Sequence, residues 1–160
     1  MAETFTPARE NRVIKMGMGR GGTPQAFVAM WFGDEVQDAY DKGFEVGISE
    51  AGYDPIRIDL VDHIGKSDDE IVAQIRSSRF VVADFTGHRG GIYFEAGFAL
   101  GLNLPVIWTC RQDHLGDLHF DIRQYGCIVW EKPEELAERL DKEDPGYYWD
   151  GTRRFRWALI

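Results

Sequence analysis

The chain has 160 residues, 44% hydrophobic and 28% charged, with a net charge of −9 at pH 7. That length suits one domain with a sizeable core. The charge argues against general attachment to nucleic acid through phosphates. No apolar run reaches membrane-span length and no signal-peptide core opens the chain, so a cytoplasmic protein without membrane attachment is expected.

Residues 1 to about 24 are punctuated by glycine, proline and charge without a sustained period, and read as a tail or linker. Gly19-Arg20-Gly21-Gly22 lacks the flanking strand, the helix and the Lys-Ser/Thr of a phosphate loop. The unbroken apolar run from Ala26 to Phe32 predicts a buried parallel strand, ended by Gly33-Asp34. Val36, Ala39, Tyr40, Phe44 and Ile48 recur at helical spacing to about Glu50, and Ala51-Gly52 stops that helix. Asp54 to Leu60 alternates as a second strand, and Ser67-Asp68-Asp69-Glu70 is a capping box for a helix carried by Ile71, Val72 and Ile75. Arg79 to Phe85 is a third strand. A helix from Gly90 follows, apolar almost all round and expected to be buried on most sides. Pro105 to Cys110 forms a fourth strand, 111 to 124 an irregular loop, Tyr125 to Trp130 a fifth strand, and Pro133 to about Leu140 a last helix with Pro in its first turn.

Strands alternating with helices five times predict an α/β fold: a doubly wound, five-stranded parallel sheet with the flavodoxin-like order 2-1-3-4-5. Ligands of such sheets sit beyond the carboxyl ends of the strands, at the switch point between strands 1 and 3. The polar residues expected there are Asp34 after strand 1, Asp59 to His63 after strand 2, Asp84 to Gly91 after strand 3, and Arg111 onward after strand 4.

Glu95 is the only charged residue between Gly90 and Cys110, and a carboxylate in such a setting is costly unless paired, hydrogen-bonded or protonated. It stands one turn into the helix after strand 3, near Asp84 at that strand's end. Trp31, Phe32, Phe85 and Tyr93 supply aromatic rings, and Gly90-Gly91 present free helix N-terminal amides. Carboxylates, flat rings and amide donors together suit a nucleoside or nucleotide and the chemistry of a glycosidic bond. The structural alternatives are that Asp84 caps a turn and that Glu95 pairs with Arg79, Arg89 or Arg111. His63, His88, His114 and His119 lack metal-ligand spacing. Cys110 and Cys127 lack a CxxC arrangement and read as buried thiols, so no metal or cofactor is called for. His119, Asp121 and Arg123 form the polar set of an alternating stretch, suited to an ion-pair cluster or a lip over the crevice.

Ser78 to Thr86, Gly90 to Ala99 and Leu104 to Ile107 together resemble the nucleoside 2-deoxyribosyltransferase-like superfamily, which includes deoxynucleoside-monophosphate N-glycosidases and is related in fold to TIR domains. The likeness covers roughly residues 25 to 140 and rests on a strand ending in Ala83-Asp84, the Tyr93-x-Glu95-x-Gly97-x-Ala99 helix and the Pro105-Val106-Ile107 strand, with Ala29-Met30-Trp31-Phe32 matching the family's first strand. It implies that Glu95 is the nucleophile attacking the anomeric carbon, that Asp84 orients it or holds a sugar hydroxyl, and that Trp31 or Phe32 lines the base pocket. The hydrolases' upstream acid has Asp69 as its nearest counterpart. Where the transferases carry a loop Asp, this chain has His88-Arg89, which suits a phosphorylated substrate.

The expected function is cleavage or transfer of an N-glycosidic bond. Asp34, Asp59 and Asp69 are candidate acids, and His88, Arg89, Gly90, Gly91, Tyr93, Trp31 and Phe32 are candidate binding groups. The alternatives are a TIR-like nucleotide-binding or NAD-cleaving module of signalling or defence, and a non-catalytic nucleotide sensor. The segment 143–160 concentrates arginines and aromatic residues outside the resemblance, and suits packing on the domain or a homo-oligomer contact.

Overall fold

The computed structural model describes residues 22–58, 68–122 and 125–142. Five strands, β1 (Gln25–Ala29), β2 (Asp54–Ile56), β3 (Val81–Asp84), β4 (Val106–Arg111) and β5 (Cys127–Trp130), form one parallel sheet in the order β2-β1-β3-β4-β5. This is the order the alternation of strand and helix patterns predicts. The strands are shorter than the apolar runs suggest: β1 stops at Ala29, and the chain from Met30 to Phe32 has already left the sheet.

Side-chain alternation splits the core in two. Val28, Phe80, Val82, Ile128 and Trp130 face one side, against α1 (Asp34–Ala39), α2 (Glu45–Glu50) and α5 (Pro133–Lys142). Phe27, Ala29, Val81, Ala83, Phe85 and Trp108 face the other, against α3 (Asp68–Ser77) and α4 (Gly90–Gly101). On that second side the loop after β4 is not irregular. It forms two 3-10 turns, Gln112–Asp117 and Phe120–Ile122, and Leu118 between them is buried. A stack of rings runs from Tyr93 over Phe85 and Trp108 to Tyr125, with centroids 4.8, 5.3 and 4.4 Å apart.

The first helix is continuous from Asp34 to Glu50 but contains a π-helical stretch, Tyr40–Phe44, between α1 and α2. The cause is legible in its spacing. Val36, Tyr40, Phe44 and Ile48 are all buried and stand four apart, and an α-helix would rotate such a series by roughly 40° per step. A wider turn slows that drift and keeps the four on one side. It also aims Gly43 and Gly47 at α5, so closely that a Cβ at Gly47 would lie 2.6 Å from the Ala137 carbonyl oxygen.

The helix α4 departs from expectation. It is not buried on most sides: Ile92, Ala96 and Ala99 meet the sheet, while Phe94 is 61% exposed and Gly90, Gly91, Gly97 and Gly101 face outward. It lies on the outside of a two-layered flank, so only one stripe can reach the core. No helix among the described residues is long and apolar enough to cross a membrane.

Two glycine substitutions should separate close packing from helix propensity. Gly47→Ala should cost about 1–3 kcal/mol in denaturant unfolding, because the methyl meets backbone rather than a yielding side chain. Gly97→Ala, where nothing lies within 4 Å of the added Cβ, should instead stabilise by about 1 kcal/mol.

Candidate functional site

The β3 strand ends in Asp84 and is followed by Thr86 to Arg89, after which α4 begins. The side chain of Asp84 shares the alternation of Val82 and so belongs to the α1/α5 side of the sheet. It is fully buried. Oδ1 accepts hydrogen bonds from the Thr109 hydroxyl (2.8 Å, β4) and from Trp130 Nε1–H (3.2 Å, β5). Burial raises its pKa, opposed by the hydrogen bonds of Thr109, Thr86 and Trp130. Thr86 lies against the same carboxyl and accepts the Arg111 N–H at 2.9 Å, yet Oδ2 itself has no partner of hydrogen-bond geometry among the described residues. Asp84 therefore joins the carboxyl ends of three strands and does not line an open crevice.

Glu95 lies on the opposite side of the sheet. Its helix presents Ile92, Ala96 and Ala99 to the sheet, and 3.6-residue geometry sets Glu95 roughly 60° to one side of that stripe. Phe98 occupies the same flank and meets the Arg76 guanidinium of α3 at 5.9 Å, so this flank faces α3 and the β1 side of β3. The carboxyl is half-buried and has no hydrogen bond or ion pair among the described residues; Arg79, Arg89 and Arg111 do not pair with it. Burial alone raises its pKa from 4.5 to about 7. The structure thus separates the two carboxyls that the sequence sets side by side.

Tyr93 is likewise drawn away. Two residues from Glu95, it projects from the other flank of α4, where its ring packs on Phe85 and its hydroxyl accepts the His119 N–H at 3.4 Å. His119 Nδ1 accepts the Asp121 N–H at 3.3 Å and lies 3.4 Å from the Asp121 carboxylate, while Arg123 falls outside the described residues. On this side a cavity of about 520 Å³, lined by Leu115, Leu118, Ile122, Tyr125 and Cys127 among others, includes no residue of α4 or of the loop before it.

Three segments converge at the switch point. Trp31, leaving β1, is wedged between Gly33 and Gly87: a Cβ at either glycine would lie 2.7 or 2.8 Å from the indole. The Arg89 guanidinium covers the ring at 4.6 Å. Phe32 is the open aromatic surface, 52% exposed, with the buried Arg57 guanidinium 5.7 Å from its ring centroid. Gly87 and His88 both adopt the left-handed region, at φ 80° and 51°. Beyond them, the first turn of α4 has no side-chain cap, and a Cβ at Gly90 or Gly91 would meet open space. Of the remaining candidates, Asp34 and Asp69 are exposed at the starts of α1 and α3, and Asp59 and His63 lie outside the described residues.

Residue patterns gave no hint of Thr109 and Trp130, which hold Asp84 from two neighbouring strands; Arg111, expected at this end of the sheet, is joined there by Asp113 and His114. The Arg111 guanidinium donates to Asp113 at 2.7 and 3.1 Å and lies 3.1 Å from His114 Nε2. The signal for Thr109 and Trp130 is a strand-to-strand register that only the assembled sheet reveals. Cys110 and Cys127 are free thiols whose pKa values burial pushes up to about 12, which leaves them unreactive. No group of three or more His, Cys, Asp or Glu among the described residues could hold a metal ion.

The two carboxyls predict opposite stability effects. Glu95 has a folded pKa of about 7, above its unfolded value of 4.5, so stability is greatest below pH 4.5 and falls as pH rises through 7. The penalty above that pH is about 3 kcal/mol. Glu95→Gln should therefore raise the denaturation midpoint at pH 8 and differ little from wild type near pH 5; equal midpoints at pH 8 would mean a solvated carboxylate. Asp84→Ala should destabilise at both pH values by about 3 kcal/mol, because Thr109 and Trp130 lose their acceptor.

No family model matches this sequence, and no curated protein matches it.

Proposed function

We propose that the protein cleaves the N-glycosidic bond of a nucleoside or nucleotide, with Glu95 as nucleophile, and passes the sugar to water or to a second base. The observation that carries this reading is the half-buried Glu95 carboxyl, without a partner among the described residues, on the helix that follows β3, its pKa raised to about 7 by burial. A structural carboxylate of that burial is ordinarily paired. An unpaired one is destabilising until a cationic centre arrives beside it, and the oxocarbenium-like carbon of a departing glycoside is such a centre. A weakly hydrated carboxylate is also more basic and closer to the state in which it attacks.

The surroundings supply what else the reaction needs. The uncapped amides at the start of α4 suit a sugar hydroxyl or a phosphate. Phe32 offers a flat surface for the base; Trp31 already carries Arg89 on its ring. Asp84, tied to Thr109 and Trp130, acts by holding the strand ends from which the site loops spring. The resemblance of residues 78–107 to the nucleoside 2-deoxyribosyltransferase-like superfamily supports the same reading.

A second reading, a nucleotide sensor without catalysis, is favoured by one fact: the carboxyl nearest in the chain to Glu95's site, Asp84, faces the other side of the sheet. A panel of nucleosides, deoxynucleoside monophosphates and NAD, assayed for free base, separates the two. Wild type should release base from at least one compound and Glu95→Gln from none, with the wild-type rate rising through about pH 7 as Glu95 ionises. Release from NAD alone would assign the TIR-like activity. Binding of a nucleotide with no base released from any compound would leave the sensor.

A further inference from the structure

We propose that two copies of this chain join through the outer faces of α3 and α4 as a twofold-symmetric dimer. The proposal does not rest on the glycosidic reading. A helix on the outside of a domain ordinarily turns charged side chains to water. The outer face of α4 has none. Phe94 stands there 61% exposed, and the only charged residue of the helix, Glu95, lies on a flank. Phe94 stacks on Phe98, with centroids 6.3 Å apart and planes 15° from parallel, and the Arg76 guanidinium of α3 lies over Phe98 at 5.9 Å. The apolar surface thus continues from one helix to the next. The other side of the sheet is different: Glu35, Asp38, Asp41, Glu134 and Glu138 are all exposed there. A chain of net charge −9 repels its own copies in general, and α4 is the face on which that repulsion is weakest.

Charge and shape both make this surface complementary to itself. Helices between parallel strands run back from the carboxyl to the amino end of the sheet, so α3 and α4 are parallel to each other. A twofold axis crossing them sets each helix antiparallel to its counterpart. Asp69 stands at the start of α3 and Arg76 in its last turn, both exposed. Seven residues apart, they share one stripe but are separated by roughly 10 Å along the axis, too far to pair within the helix. Neither forms an ion pair among the described residues. The antiparallel arrangement brings each Asp69 to the partner's Arg76.

The outward stripe of α4 obeys the same symmetry. It reads Gly90, Phe94, Gly97, Gly101, all exposed. A register that lays Phe94 over the partner's Gly97 also sets Gly90 opposite the partner's Gly101. The one protruding side chain meets a position that has none, and a Cβ at Gly97 would have nothing within 4 Å in the single chain. Because Arg76 lies beside Phe98, the two helices stand at nearly one height, and one axis serves both pairings. A parallel arrangement would instead set ring on ring and acid on acid, which is why the occupant is an antiparallel second copy.

Sedimentation equilibrium of the full chain tests this. Wild type should reach twice its mass of 18.3 kDa by roughly 100 μM. Phe94→Gln should weaken association at least about tenfold and leave the melting temperature of the dilute protein unchanged, because the ring is exposed in the single chain. Gly97→Ala should weaken association too, although it strengthens the helix of the single chain. Arg76→Asp places acid against acid twice in the dimer and should also cost about tenfold, and the double variant Asp69→Arg/Arg76→Asp should recover wild-type association to within about threefold, since the pair is only exchanged. Wild type that stays monomeric, or a dimer that Phe94→Gln leaves intact, would overturn the interface. A double variant as weak as Arg76→Asp alone would overturn the antiparallel pairing. Association is read by mass, so either failure leaves the role of Glu95 untouched.

Discussion

Removing a carboxyl group from water is expensive, and this fold does it twice with opposite results. Asp84 is the more deeply buried, yet Thr109 and Trp130 donate to it, and its charge or proton is shared across three strands. Glu95 is less buried and receives no hydrogen bond from the described residues. The first arrangement makes the carboxyl ends of β3, β4 and β5 a rigid frame. The second leaves a carboxyl on the other side of the sheet with no compensation among the described residues for the water it has lost.

Which carboxyl has which role follows from alternation. In β3, Val81 and Ala83 face α4 while Val82 and Asp84 face α5, so Asp84 cannot meet a side chain of α4 without crossing the sheet. The switch point then falls to the loops. Trp31 bridges the ends of β1 and β3 by lying against Gly33 and Gly87, and the absence of a Cβ at both positions lets the two loops close on one indole. The loop that carries His88 and Arg89 is thereby anchored at one end by Trp31 and at the other by the start of α4.

Much of this was readable from residue order. The parallel sheet and its strand order follow from alternating apolar runs and helical spacings, and the buried face of the first helix matches Val36, Ala39, Tyr40, Phe44 and Ile48. Glu95 stood out because nothing else between Gly90 and Cys110 is charged. The sides of the elements were harder. Tyr93 and Glu95 look adjacent in a motif, but two residues on a helix point roughly 200° apart. An apolar helix looks buried all round, yet glycine and alanine count as apolar wherever they lie, and half of α4 is made of them. The partners of Asp84 stand 25 and 46 residues away, beyond the reach of any local pattern.

The outward face of α4 bears on how firmly the site is held. Gly97, inside the helix, lowers its stability by about 1 kcal/mol relative to alanine, and Gly90, Gly91 and Gly101 add backbone freedom at its ends. A helix of that composition would not persist in water by itself; its order is borrowed from the sheet through Ile92, Ala96 and Ala99. Ionised Glu95 gains hydration whenever the helix lifts, so charge and glycine favour the same local opening. The proposed nucleophile therefore rides on a helix with little order of its own, whose amide protons are expected to exchange by local opening rather than by global unfolding.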